Sequence, residues 1–351
     1  MASEDFRVVL SGDFINPDGS PKFPDFDLAP LRATPGLSVG FLPESDPVRA
    51  DLLEDVDALI LLGCKFTKDS IPASGRLSVV ARFGVGYDSV DVEACTAHDI
   101  AVCITPDGVR RPVAVAILTM MLALTGKLLI KDRMTRLGPS GFSVARNEHM
   151  GVGLVGRTLG SIGIGNIGAE MFRLAKPLGM RFLAHDPFTS KAIADELGVT
   201  LVDRETLFRE SDVLTVNCPL TEETHHLVNS SLLSLMKPTS FVINTARGPI
   251  IDQDALTDIL QRGGIAGAGL DVFEGEPLNA DHPLFALDNV IVTPHALCWT
   301  DQCFAGIGAA DVASVLAIHA GRQPPGLLNR TVMTQPGFAR KLQRHAARHL
   351  R

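Results

Sequence analysis

Short apolar runs alternate with turn-forming residues along the whole chain, at the spacing expected of buried strands joined by helices. In the first hundred residues the runs Arg7 to Leu10, Ala58 to Leu62, Leu77 to Ala81 and Ala101 to Ile104 predict strands. A helical pattern over Val90 to His98 sits between two of them, the arrangement of a β-α-β unit and a parallel sheet. Pro17 to Pro35 and Pro43 to Pro47 read as loops. Pro112 then opens a long apolar helix, Val113 to about Lys131, with proline at a favoured first-turn position. The glycine-containing stretch Leu137 to Gly156 interrupts the pattern. A second series of strands follows at Thr158 to Ile164, Arg181 to His185, Val213 to Asn217, Phe241 to Asn244, Ala266 to Val272 and Val290 to Val292. Helices are expected at Ile167 to Leu178, Lys191 to Leu197, Ser231 to Leu235, Asp254 to Gln261 and Asp301 to Ala320.

A length of 351 residues exceeds one ordinary core, so two domains are expected. With 46% hydrophobic and 21% charged residues the chain can bury a sizeable interior. The net charge of -8 argues against a nucleic-acid partner, whose surface would call for a basic stripe. Six cysteines without a C-x-x-C pair read as free thiols in a reducing compartment. Glu4 and Asp5 stand where a signal peptide would be positive, and the longest apolar stretch, Val113 to Leu124, is short of the roughly 20 residues of a membrane span. A soluble, cytoplasmic protein with no membrane partner is expected. The basic tail Phe338 to Arg351 reads as a solvated terminal helix or a frayed end.

One turn changes this picture. Gly163-Ile164-Gly165-Asn166-Ile167-Gly168 follows a predicted strand and opens a predicted helix. In that context Gly163 permits the tight turn, Gly165 lets backbone approach a pyrophosphate, and Gly168 allows helix to pack on strand. The helix N-terminus presents free N–H groups and a favourable dipole to phosphates. Asp186 ends the next strand, where a carboxylate accepts hydrogen bonds from a ribose and repels a 2′-phosphate. Pro187 and Phe188 supply no arginine for such a phosphate, so NAD is expected over NADP.

Three further strand ends carry chemistry. Arg247, in Thr245-Ala246-Arg247-Gly248, suits bidentate capture of a carboxylate and can polarise a neighbouring carbonyl. Glu276 lies in the acidic loop Gly269 to Pro277, and His295 in Thr293-Pro294-His295-Ala296. Singly, each has a bland reading as a surface ion pair, a solubilising loop residue or a packed imidazole. Together, downstream of a nucleotide turn, they can bind and protonate a 2-keto acid, which makes the chain a nicotinamide-dependent dehydrogenase. No metal site is expected, because adjacent His225 and His226 point apart on any regular element. Cys218 beside Pro219 has no activating base nearby in sequence.

These residues carry a resemblance. From Val79 to about Asn329, Phe83-Gly84-Val85-Gly86-Tyr87-Asp88, Thr105-Pro106, the glycine turn, Cys218-Pro219-Leu220-Thr221, Asn244 to Gly248, Asp271 to Pro277 and Thr293 to Ala296 follow the order of the D-isomer-specific 2-hydroxyacid dehydrogenases. Glyoxylate/hydroxypyruvate reductases and phosphoglycerate dehydrogenases are among that family. The resemblance implies an α/β fold of two Rossmann-like domains. A doubly wound NAD-binding domain, 112–301, is inserted into a smaller flavodoxin-like substrate domain made of 1–111 and 302–351. It implies that Arg247, Glu276 and His295 are catalytic, and that the Val85 and Gly86 N–H groups join Arg247 and His295 in holding substrate. Gly163, Gly165, Asn166, Ile167, Gly168, Asp186, Cys218, Pro219, Thr224, Thr245, Ala246, Arg247 and Asp271 would line the NAD site, Asp271 near the nicotinamide amide. A homodimer through the NAD-binding domain and the arm around Leu137 to Gly156 is implied likewise.

On that scheme His295 protonates the keto oxygen during hydride transfer, and Glu276 favours its imidazolium form. Departures from the family pattern are Val115, where a carboxylate is usual, and Leu62, in the slot of a phosphate-binding arginine. The second disfavours a phosphorylated substrate. A dinucleotide-sensing protein similar to the C-terminal-binding corepressors is the alternative from another class. Formate dehydrogenase, which pairs glutamine with the histidine, is disfavoured by Glu276.

Overall fold

The computed structural model describes residues 5–349, so Glu4 and the last two residues of the basic tail lie outside it. The chain divides into two compact units, one of residues up to Val109 together with those from Trp299 onward, the other Arg110–Cys298.

The first unit is built on β1 (Phe6–Leu10), β2 (Leu37–Phe41), β3 (Ala58–Leu61), β4 (Val79–Arg82) and β5 (Ala101–Cys103). All pair in parallel in the order β2-β1-β3-β4-β5, which is the flavodoxin-like order. Every residue of β3 is buried, as an uninterrupted Ala-Leu-Ile-Leu run requires. Val9, Leu59, Leu61, Val80 and Val102 form one core with Phe66, Leu77 and Cys95. The helix Asp301–His319 packs on β4, and the helix Pro336–His349 packs on it in turn.

That last helix corrects the expectation of a solvated or frayed tail. Phe338, Lys341 and His345 are buried. Lys341 Nζ donates to the carbonyls of Leu77, Asp99 and His98 at 2.6, 2.9 and 3.1 Å, and His345 Nε2 meets Ser78 Oγ at 2.9 Å. Its basic residues thus include anchors that reach into a sheet edge.

The second unit holds β6 (Thr158–Ile162), β7 (Arg181–His185), β8 (Val199–Leu201), β9 (Val213–Val216), β10 (Phe241–Asn244), β11 (Gly267–Leu270) and β12 (Val290–Val292). They form one parallel sheet, β12-β11-β10-β9-β6-β7-β8, the doubly wound order whose direction reverses between β6 and β9. Ligands bind outside the carboxyl ends of strands at such a switch point.

The long helix runs Pro106–Thr125, six residues earlier than Pro112 suggested, so that proline lies inside it. It stops at Gly126, and Lys127, at φ 51, redirects the chain into a separate helix, Leu128–Thr135. The stretch expected to interrupt the pattern contains another, Pro139–Glu148. By length and composition Pro106–Thr125 and Asp301–His319 could each cross a membrane, but 50% and 56% of their apolar windows are buried within the fold. They are core helices here.

Candidate active site

The glycine turn follows β6 and leads into the helix Asn166–Ala175. Gly163 adopts φ 92, and a Cβ on it would lie 2.9 Å from the Asn217 carbonyl oxygen. A Cβ on Gly168 would lie 2.7 Å from the Gly163 carbonyl oxygen, whereas one on Gly165 would meet nothing within 4 Å. Two glycines therefore serve close packing, and the middle one faces open space. No side chain caps the helix, leaving its first N–H groups, around Asn166 and Ile167, to a ligand. This arrangement fits a pyrophosphate.

Asp186 reaches from the end of β7 to the turn after the neighbouring β6. Its carboxylate accepts from Ile164 N at 2.8 Å, Phe188 N at 2.9 Å and Thr189 N at 3.1 Å, tying the glycine turn to the end of β7. Beside it, burial pushes the Cys218 thiol up to about 11, so it is not a nucleophile at neutral pH. Thr224 Oγ1 donates to the Pro219 carbonyl and accepts from Thr221 N, both at 2.7 Å, which closes the turn after Cys218-Pro219. Ser161 and Asn217 shape the glycine turn from below. Ser161 Oγ donates to Gly163 O at 2.6 Å and accepts from Asn217 Nδ2 at 2.9 Å. Sequence reasoning passed over both, although a serine inside an apolar strand was a signal.

Past β10, Asn244 clamps the turn that carries Arg247. Its side chain accepts from Ala246 N at 3.0 Å and donates to Arg247 O at 2.9 Å. Thr245 Oγ1 is buried without a hydrogen-bond partner among the described residues, an orphaned hydroxyl at the same sheet edge. Gly248 is obligatory: its Cβ would lie 1.9 Å from the Phe273 carbonyl. That close approach brings the Arg247 turn onto the loop after β11.

In that loop Glu276 Oε1 accepts from Phe273 N at 2.8 Å, and Oε2 meets His295 Nδ1 at 2.9 Å. Burial alone would raise the Glu276 carboxyl. The hydrogen bonds from His295 and Phe273, with the charges of His295 and Arg247, outweigh it and hold the group below its ordinary value. Glu276 is thus within the electrostatic reach of both other members of the trio.

His295 has φ 55, a left-handed conformation uncommon for a residue with a side chain. Asp271, 3% exposed, holds the loop in place. Its Oδ1 accepts from Thr293 Oγ1 at 2.6 Å, Ala296 N at 3.0 Å and Leu297 N at 3.2 Å. One role of Asp271, invisible in the sequence, is therefore to fix the backbone on both sides of His295.

In the first unit, Gly84 and Thr105 lock each other: Gly84 N donates to Thr105 Oγ1 at 3.1 Å and Thr105 N to Gly84 O at 2.9 Å. The Val85 and Gly86 N–H groups that follow have no acceptor among the described residues.

One expectation is corrected. His225 and His226 do not point apart: their rings stack with centroids 4.1 Å apart and 26° between planes. They lie in a loop, and His226 at φ 50 abandons the regular geometry on which the expectation rested.

Residues 118–296 match the model of the D-isomer specific 2-hydroxyacid dehydrogenase, NAD binding domain. The chain belongs to the D-isomer specific 2-hydroxyacid dehydrogenase family. It is 37% identical to a glyoxylate reductase of Korarchaeum cryptofilum, over 84% of this chain and 90% of that one. A glyoxylate reductase of Aeropyrum pernix is 38% identical, over 81% and 87%. Among solved structures, an NADPH-dependent glyoxylate/hydroxypyruvate reductase from Sinorhizobium meliloti superposes with a TM-score of 0.75 at 29% identity, covering 92% of this chain and 97% of that one. The chain is accordingly an oxidoreductase of the CH–OH group of 2-hydroxyacids that works with a nicotinamide cofactor.

Proposed function

We propose that the chain reduces a small 2-keto acid, with His295 giving a proton to the keto oxygen and Arg247 holding the carboxylate. The observation that carries this reading is the 2.9 Å contact between His295 Nδ1 and Glu276. It orients the imidazole and leaves Nε2 as the nitrogen without a partner among the described residues. Glu276 is a positioning residue, kept ionised by the groups around it. When bound, the nicotinamide supplies hydride for reduction or accepts it in the reverse direction. Arg247 offsets negative charge that develops on the substrate oxygen, an effect commonly worth about 3 kcal/mol per donor.

The assignment of the Val85 and Gly86 amides to the substrate, and of the unit that carries them as a substrate domain, belongs to the same proposal. So do cofactor contacts from Gly163, Gly165, Asn166, Ile167, Gly168, Asp186, Cys218, Pro219, Thr224, Thr245, Ala246 and Asp271. Open space at Gly165 and the orphaned Thr245 hydroxyl support them. Asp186 favours NAD over NADP, because its carboxylate would repel a 2′-phosphate. A homodimer is supported by exposed apolar side chains at Leu128, Leu129, Leu137, Phe142 and Met150, and a cytoplasmic setting by six free thiols.

Glyoxylate, named in the relatives, is the first substrate to test, followed by hydroxypyruvate and larger 2-keto acids. The expected result is oxidation of NADH by at least one of them, with kcat/KM for NADH at least ~10-fold above that for NADPH. Silence across the panel with NADH still bound would instead favour a dinucleotide sensor.

A further inference from the structure

We propose that His225, His226 and Glu274 form a binding site for a divalent transition metal of the zinc class. Their ligand atoms all lie within 4.8 Å of one another, the one such group of three among the described residues. The site is built by local backbone. His225 N donates to Thr221 O at 3.0 Å, and His226 N to Pro249 O at 2.8 Å. The left-handed turn at His226 then stacks the two rings instead of opposing them. His226 Nε2 stands 2.9 and 3.1 Å from the two Glu274 oxygens. Glu274 is fixed in turn by its N–H, which donates to Gln253 Oε1 at 3.0 Å, and by the contact of its loop with Gly248.

Two imidazoles and a carboxylate, without a thiolate, suit zinc, cobalt, nickel or copper over calcium or magnesium. Metal–ligand bonds of about 2.0–2.1 Å in a tetrahedron set ligand atoms roughly 3.3 Å apart. A small swing of exposed His225 therefore closes the site, with water completing the coordination. A hydrogen-bonded tie between His226 and Glu274 alone would have no use for His225, which makes His225 the discriminating residue. The site is also placed to matter. Glu274 follows Phe273, whose N–H holds Glu276, so a bound cation would clamp the loop that positions the partner of His295.

The test uses untagged, chelator-treated full-length protein titrated with CoCl2 by visible absorption and with ZnCl2 by calorimetry. We expect one saturable site per chain, weakened at least tenfold in His225→Ala and in Glu274→Gln. The metal-free melting temperature of His225→Ala should equal that of the parent, because its ring is exposed, and ZnCl2 should raise the parent's melting temperature alone. Absence of saturable binding, or equal binding by parent and both variants, would overturn the proposal.

Discussion

His295 sits in a backbone region that costs a residue with a side chain of order 1 kcal/mol, and the structure shows what maintains it there. Asp271 grips Thr293 before it and Ala296 and Leu297 after it, so the strained residue is bracketed by short hydrogen bonds to one buried carboxylate. Glu276 then fixes the ring itself. The guanidinium of Arg247 is expected to serve ground and transition states together. Replacing it with Ala should raise the KM for the keto acid and lower kcat, cutting kcat/KM by ~100-fold or more, as steady-state kinetics would read directly. A change confined to KM would restrict Arg247 to binding. At this scale the sequence pointed to Arg247, Glu276 and His295 as candidates, because each lies in a loop after an apolar run, and the fold brings Glu276 against His295. It did not disclose the supports. Asp271, Asn244 and Ser161 act through hydrogen bonds to backbone that only the folded loops bring near.

The loops meet because elements end at one edge. The residues after β6, β7, β9, β10, β11 and β12 all emerge from the carboxyl side of a single parallel sheet. Gly248 is where two of these loops touch, and a methyl group there has no space beside Phe273. Gly248→Ala should push the Arg247 turn away from the Glu276 loop, lowering kcat by at least ~10-fold and the melting temperature by several degrees. An unchanged variant would remove that contact from the account. Fully buried strands such as β3 and β10 were readable as apolar runs, and their boundaries held within a few residues. β2 was not, since its Leu-Ser-Val-Gly-Phe pattern is half exposed and flanked by proline-rich loops. β8 has three residues with two exposed, too short for periodicity to register. Pro112 misled because a proline near a helix start reads as its first turn, whereas the helix had already begun at Pro106.

Across the whole molecule, the second unit gathers the chemistry at the carboxyl edge of its sheet, while the first hides an ionisable group in its interior. Asp311, on the helix Asp301–His319, is fully buried, and neither of its carboxyl oxygens has a hydrogen-bond partner among the described residues. Burial pushes this carboxyl well above its ordinary value, against the opposing pull of Arg82. An acid so raised contributes to stability below its unfolded value near 3.8, and the contribution is lost as pH rises toward the folded value. Asp311→Asn, which cannot titrate, should therefore gain on the parent between pH ~4 and pH ~8 in urea midpoint. Parallel curves would show that Asp311 is ionised in the fold. The central claim concerns the other unit, and one measurement addresses it most directly: NADH affinity and keto-acid turnover in His295→Ala. The account predicts that turnover collapses by three orders of magnitude or so while NADH binds nearly as before. Retained turnover, or loss of NADH binding in the same proportion, would contradict it.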